Sequence, residues 1–353
     1  MMWSHVLCLL LLACVVPMPT TSFAADTDTE LVFLTWADYV DPDLVAEFER
    51  AQGAHVRSIH FETDDVRDRI MTRAEGLGFD LMVLDNTSIE SYRRRGWIRA
   101  LDSASMPNLI HVDPRWDAAY PQSQGWAVPY FWGTLGIAYR ADLTGGPLTA
   151  WSDLFQPAPA LAGRILMVDD TFDLVGMALK AAGHSMNSTD PAQLAEAEAM
   201  LRAQRPAVRH YGSMSVEEGA DLLSGDIVAA MTYNGDAAMV QEYNDAVVYT
   251  VPKEGGALWV DYLAIAAHAR EPELSAAFID FLNRPDIAAR NARYLHYATP
   301  NRAAEALLPA SFRADPLVYP DAETLSRCET YARLPASAVR ARVQIHSAIV
   351  HGY

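Results

Sequence analysis

The sequence predicts an α/β protein with a parallel sheet, because apolar strand candidates alternate with helix candidates along the first third of the chain. Three strands are predicted at 31–36, 55–61 and 79–84. The helices between them are predicted to begin at 41–43, where acids flank a proline, and to run from about 63 to 75. This order of elements forms a parallel sheet through right-handed crossovers, and ligands of such sheets bind beyond the carboxyl ends of the strands.

Composition narrows the classes of partner. The chain has 353 residues, of which 51% are hydrophobic and 20% charged, and its formal net charge is −18. Nucleic acids and anionic lipid surfaces are attracted by basic fields, so neither is expected as a partner, whereas cationic ligands are favoured in a general way. CxxC and HExxH motifs are absent from the sequence, and we expect no metal site and no cofactor.

The N-terminus reads as a targeting segment. Residues 6–18 are almost entirely apolar, and small residues follow up to Ala24 and Ala25, which predicts a secretory signal peptide over residues 1–25. Residues 11–14 also resemble a bacterial lipobox, which would leave Cys14 lipidated. With cleavage after Ala24, Cys328 is the one cysteine left, so no intrachain disulfide is expected.

The rest of the chain continues the alternation. A diglycine at 255–256 is predicted as a flexible entry to a strand over 257–265. The remaining predicted strands cover 135–139, 164–168, 226–231 and 246–252, and the remaining predicted helices cover about 174–182, 192–204, 215–223, 272–282, 285–295 and 336–349.

The strand over 257–265 carries the most informative pattern. Side chains alternate along a strand, so Trp259 and Asp261 share one face. One interpretation is a strand-end carboxylate bonded to local backbone. The other is a binding wall for an organic cation, in which the indole offers a cation–π surface and the carboxylate an ion pair.

Other predicted strand ends repeat this combination of rings and acids. For residues 85–88 a helix N-cap is the favoured alternative, and for the acids at 169–173 capping accounts for only one or two of the three. Several acids along one cleft imply a ligand with several positive charges. The candidate residues at these ends are Trp36, Asp38, Tyr39, Asp85, Asp170, Asp173, Tyr233, Asp236, Trp259, Asp261 and Tyr297.

Taken together, the motifs resemble the bacterial periplasmic spermidine/putrescine-binding proteins of ABC importers, over about residues 31–324. The segments that carry the resemblance are 36–40 (WADYV), 128–134 (VPYFWGT), 169–170 (DD), 187–191 (NSTDP), 252–256 (PKEGG), 259–261 (WVD), 297–301 (YATPN) and 317–323 (LVYPDAE).

The resemblance implies a two-lobed periplasmic-binding fold, in which each lobe is a mostly parallel sheet flanked by helices and the lobes close on the ligand. It implies that lobe 1 comprises 30–138 and 258–305, and lobe 2 comprises 139–257 and 306–353. Rings would box the ligand's methylene chain and acids would hold its amino groups. The implied rings are Trp36, Tyr39, Trp259 and Tyr297, the implied acids are Asp170, Asp173 and Asp261, and Asp38 and Asp236 match acids of the putrescine-type branch.

The chain departs from the family pattern at the proposed site. Tyr233 stands where the family usually has Trp, and 85–88 replaces a Ser and an aromatic residue. Tyr331 aligns with a late Gln of the spermidine binders and is added to the candidate ligand-binding residues. These departures leave the preferred polyamine open.

Four functions remain to be compared. The first is a monomeric polyamine-binding protein that delivers its ligand to an inner-membrane ABC permease. The second is a periplasmic polyamine-sensing subunit that docks on a membrane signalling receptor. The third is a hydrolase using Asp170 and Asp173, which lacks an accompanying nucleophile or metal set. The fourth is the same fold with a different ligand, such as an amino acid or a metal complex.

Overall fold

The computed structural model describes residues 29–352, apart from the side chain of Asp117. The predicted signal peptide and Cys14 lie outside the described residues. The strands are β1 (Thr29–Trp36), β2 (Ala54–Phe61), β3 (Leu81–Asp85), β4 (Val128–Arg140), β5 (Ile165–Met167), β6 (Val208–Tyr211), β7 (Ala229–Tyr233), β8 (Val247–Thr250) and β9 (Leu258–Ile265).

Helices connect these strands and form the C-terminal region. They are α1 (Pro42–Gln52), α2 (Asp64–Arg73), α3 (Asn86–Arg95), α4 (Pro114–Ala119), α5 (Ser152–Phe155), α6 (Thr171–Ala181), α7 (Pro191–Gln204), α8 (Asp221–Ser224), α9 (Asn234–Gln241), α10 (Pro272–Leu282), α11 (Pro285–Leu295), α12 (Arg302–Leu307), α13 (Ala310–Arg313), α14 (Ala322–Arg327) and α15 (Ala336–Val350).

The strands form two groups that share β4. In the first group the order is β2-β1-β3-β9-β4, with β1 parallel to β2 and β3, and β9 antiparallel to β3 and β4. In the second group β4 is antiparallel to β7 and β8, and β5 is parallel to β6 and β7. The predicted parallel α/β arrangement of β1, β2 and β3 is therefore confirmed.

Strand β4 passes from one group to the other. Its first half, up to Thr134, pairs with β9, and its second half, from Leu135, pairs with β7 and then β8. Twelve of its thirteen residues are buried, as expected for a strand covered on both faces. One apolar cluster lies around β1, β3 and β9, and a second around β5, α6 and α7. The chain thus builds two cores with a common strand between them.

Helix starts follow the capping chemistry expected from the sequence. The Asp41 carboxylate accepts the backbone N–H of Asp43, and Pro42 occupies the first turn of α1. Asp85 caps α3 by accepting the N–H groups of Thr87 and Ser88. The N-cap interpretation of this segment is confirmed.

The helix predicted over 215–223 is wrong. The structure has only α8 there, whose N-terminus has no side-chain cap. The residues before it are irregular and include Gly219, which weakens a helix by about 1 kcal/mol relative to alanine. The chain therefore becomes helical only for the last turn before Gly225, whose left-handed backbone (φ 82°) ends the helix.

The diglycine at 255–256 lies where backbone segments approach each other closely, and its flexibility stays a prediction. Gly255 has φ 82°, and a Cβ there would lie 1.8 Å from the carbonyl oxygen of Arg327. A Cβ at Gly256 would lie 2.0 Å from the carbonyl oxygen of Leu135. The pair therefore lets β9 begin in contact with both β4 and the C-terminal segment.

Gly255→Ala is expected to lower the free energy of unfolding by roughly 2–3 kcal/mol, because left-handed strain and a backbone clash add. Gly145→Ala is the matched control, since Gly145 also has a positive φ (73°) but no atom within 4 Å of the position that an added Cβ would take. It should cost only about 1 kcal/mol. Urea unfolding of both variants measures the difference, and equal losses would contradict the contact argument.

Within residues 29–352, we find no helix whose length and hydropathy would allow it to cross a membrane.

Candidate ligand-binding cleft

A connected wall of aromatic rings lies where the two strand groups meet. Trp259 of β9 meets Tyr297 edge-on at a centroid distance of 4.8 Å and Tyr233 at 6.3 Å. Tyr39 contacts Tyr297 at 6.0 Å and Phe131 at 5.9 Å. The structure thus brings together predicted rings from four separate parts of the sequence.

Glycines make room for this wall. A Cβ at Gly133 would lie 2.5 Å from Cζ2 of Trp259, and one at Gly235 would lie 2.2 Å from Cε1 of Tyr297. Tyr130, behind the wall, donates its hydroxyl to the carbonyl of Tyr39 at 2.9 Å. The rings are therefore fixed by backbone approach as well as by ring packing.

Asp261 stands beside the wall on β9. Its carboxylate accepts the Tyr39 hydroxyl at 2.7 Å and a hydrogen bond from Trp36. Both donors are neutral. Burial raises the pKa of Asp261 to about 7, and these hydrogen bonds oppose the rise only in part. The strand-end alternative, a carboxylate bonded to local backbone, does not describe these contacts.

A second acidic position lies at the N-terminus of α6. Asp173 is 1% exposed, and its carboxylate accepts the hydroxyls of Tyr233, at 2.6 Å, and of Tyr331. Asp170 caps α6 by accepting the N–H groups of Phe172 and Asp173 at 2.8 and 3.0 Å. Burial raises the pKa of both carboxyls, that of Asp170 to about 7 with a further contribution from the Asp173 charge.

Asp236, in the first turn of α9, is the third acidic position. It accepts the Thr232 hydroxyl at 3.3 Å and a hydrogen bond from Tyr297. Burial raises its pKa to about 6. The charges of Asp236 and Asp261 both raise the pKa of the Tyr297 hydroxyl, so the two carboxylates lie close to the same ring.

Asp85 reaches the same region but is already paired. Its Oδ1 accepts Nη2 of Arg67 at 2.8 Å. Burial alone would raise the pKa of Asp85, but the Arg67 guanidinium and the hydrogen bonds from Ser88 and Thr87 hold it below its usual value. Among the candidate acids, all of which the structure describes, Asp85 is the one that is ion-paired with a cation of the protein itself.

Asp38 lies apart from this cluster. Its side chain is exposed, its backbone is left-handed (φ 53°), and its charge acts on the hydroxyl of Tyr294. The ring–acid set predicted after β1 therefore divides: Tyr39 and Trp36 contact Asp261, and Asp38 does not.

Three cleft residues were missed by the sequence analysis. Asp64, in the first turn of α2, interacts electrostatically with Asp85, Asp170 and Asp261, and partial desolvation of its side chain together with these acids raises its pKa against the pull of Arg67. Arg67, one turn further along α2, has a side chain that is only 1% exposed.

Asn86 is the third. Its Nδ2 donates to the carbonyl of Tyr331 at 2.9 Å, and its buried Oδ1 has no hydrogen-bond partner within the part of the chain that the structure describes. An unpaired buried acceptor is costly unless a donor meets it. Cap residues and an Asp–Arg pair spaced i,i+3 are ordinary features of exposed helices, so the sequence offered no signal for any of the three.

This arrangement suits a cation that carries N–H donors and methylene groups. Ring faces attract ammonium groups and cover methylenes, and carboxylates accept N–H donors. The acids with raised pKa values at the ring wall are hydrogen bonded to neutral hydroxyl or N–H donors. A positive charge beside any of them would therefore stabilise its ionised form. Among residues 29–352, we find no group of three or more His, Cys, Asp or Glu side chains arranged to hold a metal ion.

A fold of this kind, with two sheet groups that share β4 and a wall of rings and acids at the junction, defines a two-lobed periplasmic binding protein. The solved structure of a spermidine/putrescine ABC transporter substrate-binding protein from Streptococcus pneumoniae is similar, with a TM-score of 0.78 and 26% identity over 91% of this chain and 98% of that chain. A spermidine/putrescine transporter structure from Listeria monocytogenes reaches a TM-score of 0.82 and 31% identity, covering 91% and 99% of the two chains.

Sequence comparison agrees with the fold. The family model described as bacterial extracellular solute-binding protein matches residues 43–320. A spermidine/putrescine-binding periplasmic protein of Salmonella typhimurium is 31% identical over 313 residues, which are 88% of each chain. A norspermidine sensor of Vibrio cholerae is 32% identical over 326 residues, covering 92% of this chain and 89% of the relative. The chain therefore belongs to the bacterial extracellular solute-binding proteins, in the family of the spermidine/putrescine-binding periplasmic proteins.

Proposed function

We propose that this protein captures a polyamine in the cleft between its two lobes. The observation that carries the proposal is the set of partly buried carboxyls with raised pKa values, Asp170, Asp236 and Asp261, beside a wall of aromatic rings. A buried carboxylate is stabilised by a cation, and an ammonium group supplies both the charge and the N–H donors. Relatives named for binding spermidine, putrescine or norspermidine support the same ligand class.

The proposed ligand-binding residues act in two ways. Trp36, Tyr39, Trp259 and Tyr297 would cover the methylene chain, while Asp170, Asp173, Asp236 and Asp261 would accept ammonium N–H groups. Tyr233 and Tyr331 would orient Asp173 through their hydroxyl groups. The unpaired Oδ1 of Asn86 is proposed as a further acceptor.

Closure of the lobes would isolate the ligand from water. The proposed lobes are residues 30–138 with 258–305 and residues 139–257 with 306–353, so β4 and the start of β9 would act as hinges. A binding protein of this kind needs no chemical step, and we propose that it is not an enzyme. We further propose that the mature chain is a monomer of the periplasm, exported by its signal peptide or anchored through Cys14.

We propose that the protein delivers its bound polyamine to an inner-membrane ABC permease. The spermidine/putrescine ABC transporter structures that the chain resembles support this output. The likeness to the norspermidine sensor favours a second candidate, a polyamine-sensing subunit that docks on a membrane receptor. Uptake of labelled polyamine by cells with and without the gene separates the two, since only a transport protein is required for uptake.

Titration calorimetry of the mature protein with putrescine, cadaverine, spermidine and norspermidine tests the ligand class. We expect submicromolar binding of at least one, and no binding of γ-aminobutyrate, whose carboxylate would meet an acidic cleft. Failure of all four amines to bind would overturn the proposed function.

A further inference from the structure

Arg67 occupies a cation site built inside the protein. Its side chain is 1% exposed, and its guanidinium donates to Asp64 at 2.6 Å, to Asp85 at 2.8 Å and to Asp68 at 3.2 Å. The rings of Phe61 and Tyr92 lie 5.6 and 5.7 Å from its central carbon. Carboxylates and aromatic rings are the surroundings expected for a ligand ammonium group, and here, among three carboxylates and two rings, the chain supplies the cation itself.

This internal site adjoins the ring wall and Asp261. Phe61, which flanks Arg67, meets Trp36 at a centroid distance of 4.4 Å, and Trp36 hydrogen bonds to Asp261. Asp85 and Asp261 are directly opposed partners in the β3–β9 register, so their side chains lie on the same face of the sheet. Asp85 is thus ion-paired with Arg67, whereas Asp261 is hydrogen bonded to neutral donors.

The candidate carboxylates that have no ion pair with a cation of the protein form two groups. Asp170 and Asp173 stand together at the start of α6, and Asp236 and Asp261 lie close to Tyr297. Each group can accept one ammonium. A third ammonium would have to lie near Asp64 and Asp85, where Arg67 remains charged at every accessible pH. Like charges a few ångströms apart in a buried cleft repel strongly.

We propose that Arg67 fills a third cation position and thereby makes the cleft selective for linear diamines over triamines. The inference rests on the proposed polyamine function and names the ligand class within it. Arg67 would act as a specificity-determining residue without itself touching a bound diamine. In a bound diamine the second ammonium group reaches Asp261 or Asp173. In a longer triamine the third ammonium group meets the guanidinium of Arg67.

Calorimetry of the full mature chain tests this selectivity directly. We expect the wild-type protein to bind putrescine or cadaverine at least tenfold more tightly than spermidine and norspermidine. Arg67→Met removes the charge and keeps most of the length of the side chain, so the ratio of triamine to diamine affinity is expected to rise at least tenfold. Arg67→Lys retains the charge and is expected to keep the wild-type preference for diamines.

A second variant covers the case in which Arg67→Met fails to fold because Asp85 loses its counter-charge. The double variant Arg67→Met, Asp85→Asn removes both charges and is expected to lose the diamine preference too, since the repelling guanidinium is gone. Circular dichroism before titration establishes folding. The affinity ratio is the readout that a purely structural role for Arg67 would leave unchanged.

The outcomes separate this inference from the proposed function. A wild-type protein that binds triamines as tightly as diamines, or charge-free variants with an unchanged ratio, would overturn the role of Arg67 and leave polyamine binding intact. A wild-type protein that binds none of the four amines would overturn the proposed function, and the inference with it.

Discussion

Asp261→Asn is expected to weaken polyamine binding by roughly 30- to 1,000-fold, which corresponds to about 2–4 kcal/mol. The amide keeps the shape of the side chain but removes the charge that would pair with an ammonium group. In the structure this carboxylate is hydrogen bonded to the hydroxyl of Tyr39 and to Trp36, both neutral, and the Arg67 charge acts on it without a hydrogen bond, so a ligand cation would be a counter-charge in direct contact. Calorimetry at pH 8 measures the loss.

The same substitution is expected to stabilise the ligand-free protein. Asp261 has a pKa of about 7 in the folded chain, against about 3.9 for an unperturbed Asp, so its ionisation at pH 8 costs folding stability on the order of 2–4 kcal/mol. The amide removes that cost. Asp226→Asn is the matched control, because Asp226 is exposed and bonded to Ser224, and neither effect is expected there. Unchanged affinity in Asp261→Asn would refute the ion-pair assignment.

Part of the site could be predicted from the sequence, and Asp85 shows where that prediction stops. Trp259 and Asp261 could be placed on one face from strand alternation, and the carboxyl ends of strands indicated where other rings would meet them. Asp85 shows the limit, because its strand-end position predicts a ligand contact as well as it predicts a helix cap. The structure decides, since the carboxylate caps α3 and holds Arg67.

What could not be predicted depends on contacts between distant segments. Arg67 has the sequence context of an exposed helix residue, and it is buried because β3 and α3 bring Asp85 and Tyr92 against it. The close approach at the diglycine depends likewise on a distant segment, because the carbonyl oxygen of Arg327 lies 1.8 Å from the position of an added Cβ at Gly255. Such long-range approaches leave no local periodicity, which is why both were missed.

Polyamine affinity is expected to fall by roughly 10²- to 10⁴-fold when the pH is lowered from 8 to 5. In the free protein the pKa is about 7 for Asp170 and Asp261 and about 6 for Asp236. These carboxyls are mostly ionised at pH 8 and mostly neutral at pH 5. The ammonium groups, whose pKa is close to the ~10.4 of lysine, stay charged throughout. Acid therefore removes the attraction from the protein side.

Proton release provides an independent measure of the same titration. At pH 7, Asp170 and Asp261 are each about half protonated, so binding that ionises both should release about one proton per ligand. Calorimetry in two buffers with different ionisation enthalpies gives this number. The Asp261→Asn variant should release about half as much.

Stability of the free protein should respond to pH in the opposite direction. A carboxyl whose pKa is raised on folding contributes stability that is fully present below its unfolded value of about 3.9 and is lost as the pH rises through its folded value of about 7. The difference in unfolding free energy between wild type and Asp261→Asn isolates this contribution, and it should grow in favour of the variant from pH 4 to pH 8. Ligand should close that gap at pH 8 by restoring a counter-charge to Asp261. A difference that is constant over this range would mean that Asp261 does not titrate in it, and that its charge is balanced without a ligand.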